Sequence, residues 1–130
     1  MGAGLTLDTG ALIALEANRF AMRKVVYAAL ALGLPITVPA VVVTEWWRAG
    51  RREKERARLL RALYVEGLDK HVAMTAGIAL GLVPGSTAID AIVIASAALR
   101  GDTLYTSDVD DLERIRVGVA GFAHVQIARA

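Results

Sequence analysis

The alternation of short apolar runs with longer segments of helical period is what most restricts the folds open to this chain. Residues 5–7 form an apolar run that ends at Asp8-Thr9, after which Ala11, Leu12 and Leu15 recur at helical spacing, so a strand is predicted to feed a capped helix. A second helix is expected over 20–32 and closed by Gly33, a strand over 36–38, and a third helix over 39–49 with Pro39 at its first position. Beyond Gly50 an Arg-rich helix is predicted over 51–64, with Leu59, Leu60 and Leu63 as its apolar edge. Leu68-Asp69 opens a helix that runs to 80, and Ser86 is a candidate N-cap for an almost wholly apolar helix that runs to 99. A strand over 103–105, a short helix over 109–115 and a last strand over 124–127 complete the series. Strands separated by helices specify an α/β sandwich with a mainly parallel sheet flanked by helices.

At 130 residues the chain has the size of a single domain, 1–130, with no internal repeat or linker. The hydrophobic share is 55% and the aromatic share only 5%, so the core must be made of Ala, Val, Leu and Ile. The uncharged stretches 25–44 and 72–89 approach the length of a spanning helix. Gly33, Pro35 and Pro39 interrupt the first, and Gly81, Pro84 and Gly85 the second, so no membrane segment is expected. The start of the chain lacks a basic region followed by an apolar one, and a cytoplasmic protein is expected.

Chemistry is narrowed by what is missing. There is no cysteine and there are only two histidines, which removes thiolate sites, cysteine nucleophiles and the usual zinc sites; neither His71 nor His124 has the support that a serine–histidine triad needs. The net charge of +2 says little, but seven basic residues fall between Arg48 and Arg61. Arg48, Arg51 and Arg52 there are candidates for contacting a nucleic-acid backbone; a solvated helix face is the alternative.

Four carboxylates stand out. Asp8 follows a strand directly and either caps the next helix or faces the strand-end cleft, a choice left open because Thr9 can cap equally well. Glu45 shares a helix face with Val42, Trp46 and Ala49, where an ionised carboxylate calls for an arginine, a proton or a metal; a side chain snorkelling at the edge of the stripe, or paired with Arg48, is the alternative. Asp90 opens the apolar helix, a charge at the mouth of a buried element. Asp108 again follows a strand, with Asp111 behind it as an outer ligand or a helix cap. An all-carboxylate cluster selects Mg²⁺ or Mn²⁺, and such ions activate water and neutralise a phosphodiester, which implies phosphodiester hydrolysis.

The stretches Leu7-Asp8-Thr9-Gly10-Ala11-Leu12, Val43-Thr44-Glu45, Ile89-Asp90-Ala91-Ile92-Val93 and Thr106-Ser107-Asp108-Val109-Asp110-Asp111-Leu112, in this order, resemble the PIN domain, and within it the VapC-type toxins of toxin–antitoxin systems. The resemblance implies a three-layer PIN-like sandwich. It implies that Asp8, Glu45, Asp90 and Asp108 are catalytic and hold Mg²⁺ or Mn²⁺ with Asp111 beside them. It also implies an RNA substrate, a cognate VapB-type antitoxin and a homodimer. In this chain Leu112 stands where the family often has an aromatic residue, and the pair Trp46-Trp47 is less typical of it. Three readings compete: a catalytically silent PIN-like binding module, a phosphoacceptor domain, for which no lysine follows a late strand, and a nuclease of DNA, which uses the same metal chemistry.

Overall fold

The computed structural model describes residues 4–47 and 52–130. Its chain alternates strands and helices: β1 (Leu5–Leu7), α1 (Thr9–Glu16), α2 (Phe20–Ala31), β2 (Ile36–Pro39), α3 (Ala40–Trp46), α4 (Glu53–Arg61), β3 (Tyr64–Glu66), α5 (Lys70–Leu82), α6 (Ala88–Arg100), β4 (Thr103–Thr106), α7 (Val109–Gly118), a single 3-10 turn (Ala120–Phe122) and β5 (Gln126–Arg129). The strands form one sheet in the order β3-β2-β1-β4-β5, and every neighbouring pair is parallel.

A wholly parallel sheet needs both faces covered, because its crossovers place helices on each side. The central strands obey: β1 and β2 are buried at every position. Side chains alternate along a strand, so Thr6 faces opposite to Leu5. On the Thr6 side lies α6, whose Arg100 donates to the Thr6 hydroxyl. On the Leu5 side Val25, Ala28 and Ala29 of α2 line a shallow hollow with Leu5. The expected sandwich is therefore present, with the apolar helix α6 at its centre: Ala91, Val93, Ile94, Ala95 and Ala97 are all fully buried.

Some boundaries differ from those the sequence suggests. The Arg-rich helix stops at Arg61, and Tyr64–Glu66, expected to close that helix and open a loop, makes an edge strand on β2. Its three residues are mostly exposed, so they carry no alternating burial signal. The N-cap of α6 is Thr87, not Ser86: the Thr87 hydroxyl accepts from the Asp90 backbone N–H at 3.2 Å, whereas the Ser86 hydroxyl is buried without a partner. The last strand begins at Gln126, two residues later than expected. Helix α3 ends at Trp46 with Trp47 as its C-cap, short of the expected end at 49; Arg48 and Ala49 lie outside the described residues.

A polar brace links the sheet to α6. The Arg100 guanidinium meets Asp102 Oδ2 at 2.9 Å, the Thr6 hydroxyl at 2.7 Å and the Glu66 carboxylate, while Ser96 donates to Glu66 at 2.6 Å. Asp102 is only 5% exposed, and an unpaired charge there would be strongly disfavoured. This brace ties edge strand β3 to the core that supports the cleft.

Candidate metal-binding active site

In an open parallel sheet, ligands collect beyond the carboxyl ends of the strands where the strand order reverses direction. Here the reversal falls between β1 and β4, and the chain leaves these strands at Asp8 and Asp108. Around that point one hollow is lined by Asp8, Glu45, Asp90, Asp108 and Asp111 together with Thr9, Gly10 and Thr87. All five acidic residues singled out in the sequence thus meet in one place, brought there by two strand ends and by the helices α3, α6 and α7.

Asp8 sits deepest, at 6% exposure. The sequence offered capping and cleft roles as alternatives, and the carboxylate does both. Oδ1 accepts the Ala11 backbone N–H at 3.0 Å and caps α1, while Oδ2 accepts the Thr106 hydroxyl from the end of β4. The same Thr106 hydroxyl oxygen accepts the Asp108 backbone N–H at 2.9 Å. One threonine therefore orients both strand-end aspartates, a role not assigned from the sequence although Thr106 opens the motif over 106–112. The clue available there was a hydroxyl on the same face as buried Leu104, immediately before the acidic turn.

Thr9 is not needed as the cap and instead donates its hydroxyl to Glu45 Oε1. For Glu45 the position at the edge of the stripe is the one found. Val42 and Trp46 point into the core as predicted, but Glu45, about 100° round the helix from Trp46, is exposed at the rim of the cleft and is not buried on the apolar stripe. Asp90 is half-buried in the first turn of α6, where the helix dipole favours a negative charge. Asp108 occupies the N-cap position of α7 without using its side chain as a cap, which leaves the carboxylate to the cleft. Asp111 is exposed one turn further on.

Gly10 lets the two motifs close on one another. A Cβ at this position would lie 1.9 Å from the Ser107 hydroxyl and 2.6 Å from Ser107 Cβ, so any side chain would push the loop that carries Asp108 away from α1.

The electrostatics follow from this crowding. Burial, with the neighbouring charges of Asp108 and Asp90 added, pushes the Asp8 carboxyl up to about 6, although the bonds from Thr106 and Ala11 work in the opposite direction. The Asp90 carboxyl is also raised, by burial first and then by Asp108, Asp111 and Glu45. Carboxylates that raise one another's pKa are held together at a cost that a cation between them removes. The donor set is all oxygen and so fits a hard divalent ion, not a thiophilic one. Among the described residues the acidic side chains surround the hollow without three of them being already drawn into one coordination sphere.

The arginine-rich segment shows the ion pairing of the solvated-face alternative. Arg48 and Arg51 lie outside the described residues. Arg52 is shared between Glu16 at 3.2 Å and Glu55 at 2.6 Å. Arg56 donates to Glu16 at 2.9 Å and to the Trp46 carbonyl at 2.7 Å, and its guanidinium lies 5.0 Å from the Trp46 ring centroid. Trp46 Nε1 also donates to Glu16, at 3.0 Å. The latch formed by Glu16, Trp46 and Arg56 fastens α4 to the ends of α1 and α3, next to Glu45.

A parallel α/β sandwich with an acidic cleft at its topological switch defines the class. Residues 5–118 match the PIN domain, and the chain belongs to that family, whose members are generally nucleases. No curated protein matches the chain by sequence. Among solved structures it is similar to VapBC2 from Rickettsia felis bound to a DNA fragment from their promoter, with TM-score 0.73 and 14% identity over 97% of this chain and 98% of that one. It is also similar to a toxin–antitoxin complex from Klebsiella pneumoniae, with TM-score 0.67 and 18% identity over 97% of this chain and 96% of the other. FitAB bound to an IR36 DNA fragment matches with TM-score 0.63 at 19% identity over 96% and 94% of the two chains. Among the described residues no helix is long and apolar enough to cross a membrane.

Proposed function

We propose that this PIN domain is a Mg²⁺- or Mn²⁺-dependent endoribonuclease, acting as the toxin of a cytoplasmic toxin–antitoxin pair. The observation that carries the reading is the convergence of Asp8, Glu45, Asp90, Asp108 and Asp111 on one hollow beyond the ends of β1 and β4. Asp8, Glu45, Asp90 and Asp108 would hold the ion, with Asp111 adjacent. A bound divalent ion supplies activated water at neutral pH and neutralises charge on the phosphodiester. Thr106 and the Ala11 N–H fix the direction of the Asp8 carboxylate, and the Thr9 hydroxyl steadies Glu45 at the rim. These bonds preorganise the carboxylates and limit the reorganisation needed when substrate arrives.

The complexes to which the fold is similar support a VapB-type antitoxin as partner. A homodimer is supported by α5, whose outer face carries Ala73, Met74, Gly77, Ile78, Gly81 and Leu82 and no charge. Its row of large side chains lies beside a row of small ones, a ridge next to a groove, which a second copy would match across a two-fold axis.

The test is cleavage of a mixed cellular RNA pool by the purified, antitoxin-free protein in Mg²⁺ or Mn²⁺, with EDTA and Asp8→Ala in parallel and single-stranded DNA as competing substrate. Cutting of RNA that needs both the ion and Asp8 is expected. A folded protein that cuts nothing at any metal concentration would make the domain a binding module, and preferential cutting of DNA would reassign the substrate.

A further inference from the structure

A second hollow adjoins the acidic cleft, and its one charged lining side chain is basic. It is lined by Gly10, Ile13, Ala14, Arg19, Ser107 and Ala130. Gly10 belongs to both hollows, and Ser107 directly precedes Asp108, so the two share a wall. Among the described residues no acidic side chain lines this one. Arg129, at the end of β5, stands on the same wall with its guanidinium 3.3 Å from the Ser107 carbonyl. Arg19 and Arg129 are both exposed, and among the described residues neither takes part in an ion pair. Ile13, 53% exposed, adds an apolar surface to the lining.

We infer that this hollow is the subsite for the RNA segment next to the scissile phosphate, with Arg19 and Arg129 binding backbone phosphates and Ile13 contacting a base or sugar. The inference rests on the ribonuclease reading and names the substrate track of that same site. A polyanion led toward five carboxylates is repelled unless cations lie beside its path. Arg52 and Arg56, from the arginine-rich segment, already share their charge with Glu16. Among the described residues Arg19 and Arg129 take part in no ion pair, and both stand beside Ser107, the residue before Asp108.

The experiment measures binding, so that it does not depend on turnover. Fluorescence anisotropy of a short fluorescein-labelled oligouridylate is followed across a salt series in an Asp90→Asn background, with Arg19→Ala, Arg129→Ala and the double substitution. The slope of log K against log salt is about 0.7 for each phosphate contact on a single strand, so each arginine removed should lower it by about that amount. Arg19→Lys and Arg129→Lys should keep the parent slope, and Lys54→Ala on α4 should leave it unchanged. RNA that still binds with an unaltered slope after both arginines are removed overturns the subsite and leaves the ribonuclease reading standing. An Asp90→Asn protein that binds no RNA at low salt overturns both. A polyglutamate arm in which the arginines matter while the RNA slope does not would overturn the assignment in favour of an acidic peptide.

Discussion

Replacing Asp8 by Asn should stabilise the metal-free protein at neutral pH while removing its activity. The carboxyl is raised from its ordinary 3.8 to about 6 in the folded state, mainly by burial. Below 3.8 it is protonated whether the chain is folded or not and contributes no difference. Between those values the unfolded chain releases the proton and the folded one keeps it, so stability falls as pH rises through the window and the full penalty is present above 6. At ~1.4 kcal/mol per pH unit the displacement amounts to roughly 3 kcal/mol. Asn keeps the cap to the Ala11 N–H but exchanges the bond from Thr106 for a weaker one, a loss of about 1 kcal/mol, which leaves a net gain near 2 kcal/mol. The assay is urea unfolding of parent and variant in EDTA at a series of pH values from 4 to 8, where other titrating groups largely cancel in the difference. The variant's advantage should grow from near zero, or slightly negative, at pH 4 to its full size above pH 7. A difference that stays flat across this range would refute the claim that Asp8 is ionised against its surroundings. Adding Mg²⁺ at pH 7.5 should then stabilise the parent and not the variant.

Asp90→Asn should abolish RNA cleavage and leave the circular dichroism spectrum and unfolding midpoint at or above those of the parent; parental cleavage by this variant would reduce Asp90 to a helix-start residue. Arg100→Met should destabilise the domain by about 3 kcal/mol in urea unfolding, because it strands the buried Asp102 carboxylate, and a loss below about 1 kcal/mol would show that the brace is dispensable. Gly10→Ala should cost about 1–3 kcal/mol and cut cleavage sharply, since the Ser107 side chain must move and carries Asp108 with it; full activity in this variant would contradict the close packing of the two motifs.

The architecture was legible because its signals are local and repeated. Apolar runs such as Leu5–Leu7, each followed by a helical period, read directly as a parallel sandwich, and the acidic residues at strand ends marked the crevice. β3 was not legible: Tyr64–Glu66 is a short, exposed edge strand that follows Leu59, Leu60 and Leu63, and the helical period of those leucines extends naturally over it. The acidic positions read from the sequence line one hollow, but their surroundings were not legible. For Glu45 the buried stripe and its edge were both open, because periodicity gives a face and not the point at which that face emerges at a rim. The dual use of Asp8, the shared hydroxyl of Thr106 and the diversion of Thr9 to Glu45 depend on contacts across 36 to 98 residues of chain, which no local pattern encodes. The same holds for Arg52, whose ties to Glu16 are invisible in a run of basic residues.

The most direct test of the acidic cleft as a metal centre is titration of the parent with Mn²⁺, followed by loss of the free-ion signal in electron paramagnetic resonance. Asp8→Asn, Asp90→Asn and Glu113→Gln are compared in parallel, the last altering a carboxylate on α7 that is paired with Arg116 outside the cleft. Saturable binding by the parent and by Glu113→Gln, weakened at least tenfold in both cleft variants, is the predicted result. Binding of equal strength in all four proteins, or none in the folded parent, would contradict the account.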